Sequence, residues 1–235
     1  MNNTIDSIRK QLQDNSDATV KRSTQTFFKD EILCYGIKSA TVTKIGKESY
    51  KSVKQETKEA LFSLCTELWQ SGYVEESFIA CQWTYNVRKE FTPDDLKIFE
   101  NWIDTYITNW ASCDTFCNHT VGTFIEMYPE FISKLKDWAV SNNRWMRRAA
   151  AVSLIVPAKK GLFLKDIFEI AEILLLDNDD MVQKGYGWML KVACNKHEKE
   201  IFDYIMDKKA VMPRTALRYA IEKMPVELKK QAMAK

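Results

Sequence analysis

The chain has 235 residues, 46% of them hydrophobic and 28% charged, which is an ordinary globular composition with enough apolar mass for a core. A net charge of +2 excludes nucleic-acid binding driven by bulk charge, so any basic surface has to be local. The opening "MNNTIDSIRKQLQDNSD" lacks the apolar core of an export signal, and runs such as "AEILLL" and "AAAVSLIV" fall far short of a membrane span. The six cysteines are scattered without a paired framework, so a cytoplasmic location with reduced thiols is expected.

Few glycines and prolines interrupt the chain, and apolar residues recur at three- and four-residue steps. That spacing predicts an all-α protein of about ten to twelve short helices. The β-branched stretch "SATVTKIG", from Ser39, reads as a loop running into a helix, with a small extended element as the alternative. "TKEALFSLCTELWQSG" places Leu61, Leu64, Cys65 and Leu68 on one face. "TPDDL" offers Thr92 as a helix cap with Pro93 in the first turn. "DDLKIFENWIDTYITNW" aligns Leu96, Phe99, Ile103 and Ile107. "SNNRWMRRAAA" and "DNDDMVQKGYGW" each set an Asn/Asp cluster before a new helix. Residues 1–235 read as a single domain, with 1–55 a less regular N-terminal helical part.

A weak repeat runs through the second half. "RWMRRAAAVSL" starts at 144, "DMVQKGYGWML" at 180 and "VMPRTALRYAI" at 211. Aligning Trp145 with Met181 brings Arg148 over Lys184 and Ala149 over Gly185. A period of roughly 30 to 40 residues is that of a helical pair in a solenoid of HEAT-like repeats. Stacked repeats would line their basic residues, Arg148, Lys184 and Arg214, along one concave face.

The segment "NWASCDTFCNHTVG", from Asn109, concentrates polar chemistry. On a helix, Trp110 and Asp114 stack about 40° apart on one face. The alternative packs Trp110 in the core and makes Asp114 the cap of a helix beginning at Thr115; from spacing alone this packing reading is the stronger. Cys113, Cys117 and His119 lack the second ligand pair of a structural zinc site, so they read as core packing rather than metal or thiol chemistry. In "RWMRRAAAVSL", Trp145, Ala149, Val152 and Val156 share a face. Arg148 lies about 60° from Trp145 at its edge, and Arg147 points away. Arg148 is then either an inter-helix ion-pair partner or reserved for an anion such as phosphate. Lys184 and Trp188 share a face of the next copy. Gly185 and Gly187, each costing about 1 kcal/mol in a helix, point to a tight helix crossing or to close approach of a ligand.

In this order and spacing, "NWASCD", "NNRWMRRAAAV" and "VQKGYGWML" resemble the AlkD-like DNA alkylation repair family, and the resemblance runs from "FFKDEILCYGIK" to "RTALRYAIEK". It implies an all-α, curved solenoid of HEAT-like repeats around duplex DNA, acting as a monomer and without a metal or organic cofactor. It also implies a glycosylase that hydrolyses the N-glycosidic bond of cationic N3- and N7-alkylated purines. Carried over residue by residue, it assigns catalysis to Asp114, Trp110 and Arg148, and substrate or DNA contact to Trp188 and Phe27. The family has Tyr where this chain has Phe27, and its Pro after "GI" is missing from "GIKSATVTK". The basic residues Lys184 and Arg214 join the DNA-binding set through the repeat. A second reading is a non-catalytic module binding damaged or branched DNA. A third is a protein-interaction scaffold without a DNA role.

Overall fold

Apolar residues at helical spacing become helices along the whole chain. The structure, a computed structural model, describes the backbone of residues 2–234. It is all-α: no β-strand occurs among the described residues, where Leu33 and Tyr73 form one isolated parallel bridge. No helix among them is long and apolar enough to cross a membrane. The chain divides into two compact units, Met1–Phe116 and Cys117–Lys235.

The first unit contains α1 (Asn2–Asp14), α2 (Ala18–Gln25), α3 (Ser39–Val53), α4 (Lys58–Gln70), α5 (Val74–Asn86), α6 (Asp95–Tyr106) and α7 (Trp110–Phe116). Helix α5 packs between α3 and α7, with α4 against α5 and α6 against α4. Burial of aromatic rings drives this packing. Phe116 meets Trp69 edge-on with centroids 5.6 Å apart, and Phe99 at 5.5 Å, the geometry aromatic quadrupoles favour. Buried indoles need a partner for their N–H. Trp102 Nε1 donates to Thr66 Oγ1 at 2.9 Å, and Trp83 Nε1 to the Gly46 carbonyl at 2.8 Å.

Two elements differ from the sequence expectation. "SATVTKIG" is neither loop nor strand but the first half of α3, whose Val42, Ile45 and Gly46 are buried. Packing against α5 outweighs the few tenths of a kcal/mol by which β-branched residues disfavour helix. Helix α6 begins at Asp95 rather than at Thr92 and Pro93. The Asp95 carboxylate closes the turn, accepting the Thr92 N–H at 2.7 Å and the Lys58 ammonium at 2.8 Å.

The segment after α2 is held by carboxylates. Buried Glu75 accepts the backbone N–H groups of Tyr35 at 3.0 Å, Gly36 at 2.9 Å and Ile37 at 3.3 Å. Gly36 has φ of 85°, and a Cβ there would lie 2.6 Å from the Asp17 carbonyl oxygen. Only glycine fits a left-handed position this close to neighbouring backbone. Glu76 takes the Tyr35 hydroxyl at 2.8 Å and Arg9 Nε at 3.2 Å.

The second unit opens with a wide, π-type turn, Cys117–Val121, then α8 (Gly122–Met127), α9 (Ile132–Ala139), α10 (Arg144–Val152), α11 (Ile155–Lys159), α12 (Leu164–Leu174), α13 (Asp180–Ala193), α14 (Glu198–Lys208), α15 (Arg214–Ala220) and α16 (Val226–Met233). Helices α10, α13 and α15 pack side by side in that order, with α9 against α10 and α12. These three helices carry the three sequence copies. The Asn/Asp clusters cap as expected: Asn143 Oδ1 accepts the Trp145 N–H at 2.9 Å, and Asp179 Oδ1 the Met181 N–H at 2.8 Å.

Val156 does not extend the face of α10. That helix stops at Val152, and Val156 lies in α11. Pro157 has no N–H and its ring would clash with the carbonyl four residues back, that of Ser153. The Ser153 carbonyl instead faces Gly122, where a Cβ would come within 2.8 Å.

Candidate functional site

Helix α7 places Trp110 and Asp114 one turn apart. Asn109 starts the helix: its Oδ1 accepts the Ser112 N–H at 2.9 Å and its carbonyl accepts the Cys113 N–H at 3.2 Å. Asp114 is thus inside the helix, and the alternative that made it a cap before Thr115 is overturned. Ser112, Cys113 and Phe116 face the core, and the Ser112 hydroxyl bonds that of Ser77 at 2.7 Å. Trp110 and Asp114 lie on the less buried side. The tryptophan is therefore not core filling. Its ring stacks on Phe28, with centroids 5.4 Å apart and planes 24° from parallel, and its Nε1 donates to the Phe27 carbonyl at 3.3 Å. Phe27 thus reaches Trp110 through its backbone, while its side chain is 70% exposed.

The neighbouring cysteines are core residues. Cys113 and Cys117 are fully buried, and His119 is exposed. Among the described residues, no group of three or more His, Cys, Asp and Glu is placed to hold a metal ion. Burial pushes the Cys65 thiol up to about 12 and the Cys81 thiol well above its ordinary value. Burial raises Cys34 and Cys194 as well. These thiols stay protonated in the fold but ionise near pH 9 once unfolded. The unfolded state then holds fewer protons, so their contribution to stability is complete below about pH 9 and falls as pH rises further. The expected result with a thiolate-selective disulfide reagent at pH 8 is almost no labelling of the native protein at Cys65 and Cys81, and full labelling in denaturant.

In the second unit, the three arginines of α10 divide by burial. Arg144 pairs with Asp179 at 2.9 Å and Arg147 with Asp177 at 2.6 Å. Arg147 also donates to the carbonyls of Ser141 and Asn142. Both fasten the start of α10 to the loop before α13. Arg148 is only 5% exposed and turns into the α10–α13 contact, where its Nη1 donates to the Met181 carbonyl. A Cβ on Gly185 would lie 3.3 Å from Arg148 Cγ. Gly185 therefore leaves room for the Arg148 side chain. Gly187 marks a tight crossing, since a Cβ there would lie 2.7 Å from the Ala216 carbonyl oxygen and 2.8 Å from Tyr219 Cβ.

Lys184 is half-buried and paired with Asp180 at 3.0 Å. Trp188 follows one turn on, half-buried on the same face. Lys191 extends this line, its ammonium 3.0 Å from Glu222 and 5.6 Å from the Tyr219 ring centre. Arg214 is the exposed first residue of α15.

Within the first unit the fold thus gathers Phe27, Trp110 and Asp114. In the second, Arg148 lies at the α10–α13 contact, Lys184 and Trp188 lie one turn apart on α13, and Arg214 begins α15. Sequence reasoning missed Asn109, although an Asn directly before a helical run is a cap signature. It also missed Phe28, which only tertiary structure brings to Trp110.

The family model described as DNA alkylation repair enzyme matches residues 8–224 of the chain. A solved structure of a predicted DNA alkylation repair enzyme from Enterococcus faecalis is similar in fold, with a TM-score of 0.80 at 15% identity, covering 90% of this chain and 98% of that one. No curated protein matches the chain.

Proposed function

The chain belongs to the DNA alkylation repair enzyme family, and from that premise we propose that it hydrolyses the N-glycosidic bond of cationic N3- and N7-alkylated purines in duplex DNA. The observation that carries this reading is the α7 arrangement, an indole fixed on its face and edge with a carboxylate one helical turn away. Alkylation at a ring nitrogen makes the base a cation and a good leaving group. Cleavage leaves an oxocarbenium-like sugar, which Asp114 stabilises electrostatically or attacks through a positioned water. The open face of Trp110, and that of Trp188, attract positive charge through the ring quadrupole. Arg148 and Lys184 supply positive charge toward backbone phosphate, and Arg214 extends that charge to the next helix of the stack. Phe27 offers an exposed apolar ring to the nucleic acid. The chemistry requires no metal or organic cofactor, and a monomer acting in the cytoplasm suffices.

The deciding test is release of N7-methylguanine and N3-methyladenine from alkylated duplex DNA by the purified, folded protein. Release above the spontaneous rate is expected; none would sink the reading. Binding to undamaged duplex is expected to weaken steeply with salt. Lys184→Ala should lower the slope of log affinity against log salt by about 1, because it removes about one released counterion. A slope unchanged by the substitution, measured by fluorescence anisotropy, removes Lys184 from the interface.

A further inference from the structure

An indole has two faces and one N–H, and a cation can be attracted only to an uncovered face. In Trp110 one face lies against Phe28 and the N–H is committed to the Phe27 carbonyl. Both contacts come from consecutive residues of the segment after α2. Face and edge are therefore held together, and the two side-chain torsions of Trp110 are fixed at once.

That segment is itself tied down. The Phe27 and Phe28 N–H groups donate to the carbonyls of Thr24 and Gln25, each at 3.1 Å. The Gln25 amide then spans the loop, donating to the Asp30 carbonyl at 2.9 Å and accepting the Ile32 N–H at 3.2 Å. Beyond it, the Leu33 carbonyl accepts the Val74 N–H at 3.0 Å. Helix α2 is capped by Asp17, whose carboxylate takes the N–H groups of Thr19 and Val20. The Phe28 ring thus rests on a closed framework of hydrogen bonds.

We propose that Phe28 is a positioning residue for Trp110: by covering one indole face it selects the rotamer and the single face that Trp110 presents to a cationic base or sugar. This inference rests on the reading of Trp110 as a lesion-contacting residue. It also separates two adjacent aromatics. Phe28 acts through Trp110, whereas the exposed Phe27 ring does not support it, the Phe27 contribution to Trp110 being a backbone carbonyl that Phe27→Ala would retain.

The test uses the full chain and a duplex carrying one N7-methylguanine. Phe28→Ala is expected to lower kcat about tenfold, since misplacement of a contact group near the reaction costs at least that much, with KM held within about twofold. Phe28→Tyr, which restores the ring, should recover the wild-type rate. Should Phe28→Ala unfold, Phe28→Leu keeps the apolar bulk without the aromatic face and is expected to show the same loss. A Phe28 variant that is folded and keeps wild-type kcat overturns the proposal, as does a failure of Phe28→Tyr to rescue. If the wild type releases no base, the glycosylase reading fails by itself. Preference for the methylated over the unmodified duplex then decides: its loss in Phe28→Ala and return in Phe28→Tyr support the positioning role, and no change refutes it.

Discussion

Asp114→Asn is expected to lower the rate of base release by at least about a hundredfold, the scale on which a positioned carboxylate or its equivalent contributes to a transition state. Affinity for undamaged duplex should stay within about twofold of wild type, because the substitution is isosteric and removes no cation from a phosphate contact. The helix should also tolerate it. Asp114 sits inside α7 and is not its cap, a role filled by Asn109. Single-turnover release of N7-methylguanine, measured beside a mobility-shift titration, checks both halves. A variant that releases base at the wild-type rate would move catalysis elsewhere. A variant that loses binding and release together would make Asp114 structural.

The second large effect concerns the α13–α15 crossing. Gly187→Ala is expected to destabilise the protein by about 1–3 kcal/mol, as overpacking at a close contact does. The added carbon would lie 2.7 Å from the Ala216 carbonyl oxygen and 2.8 Å from Tyr219 Cβ, and the backbone on that side has no flexible end to move. This should outweigh the gain of about 1 kcal/mol that Ala normally brings to a helix interior. For a chain of this size the thermal midpoint would then fall by about 2–4 °C for each kcal/mol. Gly185→Ala is the contrast. Its new carbon meets the Arg148 side chain at 3.3 Å, a contact that needs a yield of only a few tenths of an ångström, so the net change should be within about 1 kcal/mol. Thermal unfolding of both variants in parallel checks the pair. A stable Gly187→Ala would mean that the crossing is looser than drawn.

Much of this was legible in the sequence because helical packing leaves a periodic trace. The apolar spacing and the Asn143 and Asp179 caps follow from local rules, and the structure agrees with each; of the two open readings of the glycines, Gly187 takes the tight helix crossing, while Gly185 faces the Arg148 side chain. The copies at 144, 180 and 211 fall on α10, α13 and α15, which pack side by side. Arg148 was separable from Arg147 by a helical angle, although its hydrogen bond to the Met181 carbonyl was not. What stayed hidden depends on partners distant in sequence. No spacing rule brings Phe28 to Trp110 or Glu75 to three backbone N–H groups. The start of α3 was misread because β-branched residues carry weak local preferences that burial overrides. The end of α10 was misread because the weight of Pro157 was missed, although its effect on the carbonyl four residues back is local.

The side-by-side order of α10, α13 and α15 also sets how the second unit comes apart. Helix α13 packs against α11 and α12 as well as α10 and α15, whereas α15 packs chiefly on α13, so opening is expected to start from the α15 end. Release of α15 bares one flank of α13, the flank on which Gly187 sits, and leaves the α10 flank with Arg148 and Gly185 intact. Loss of α13 would strip support from both sides at once. Lys184 and Trp188 therefore ride on a helix packed on both flanks, and the surface they form is expected to outlast fluctuations that release Arg214.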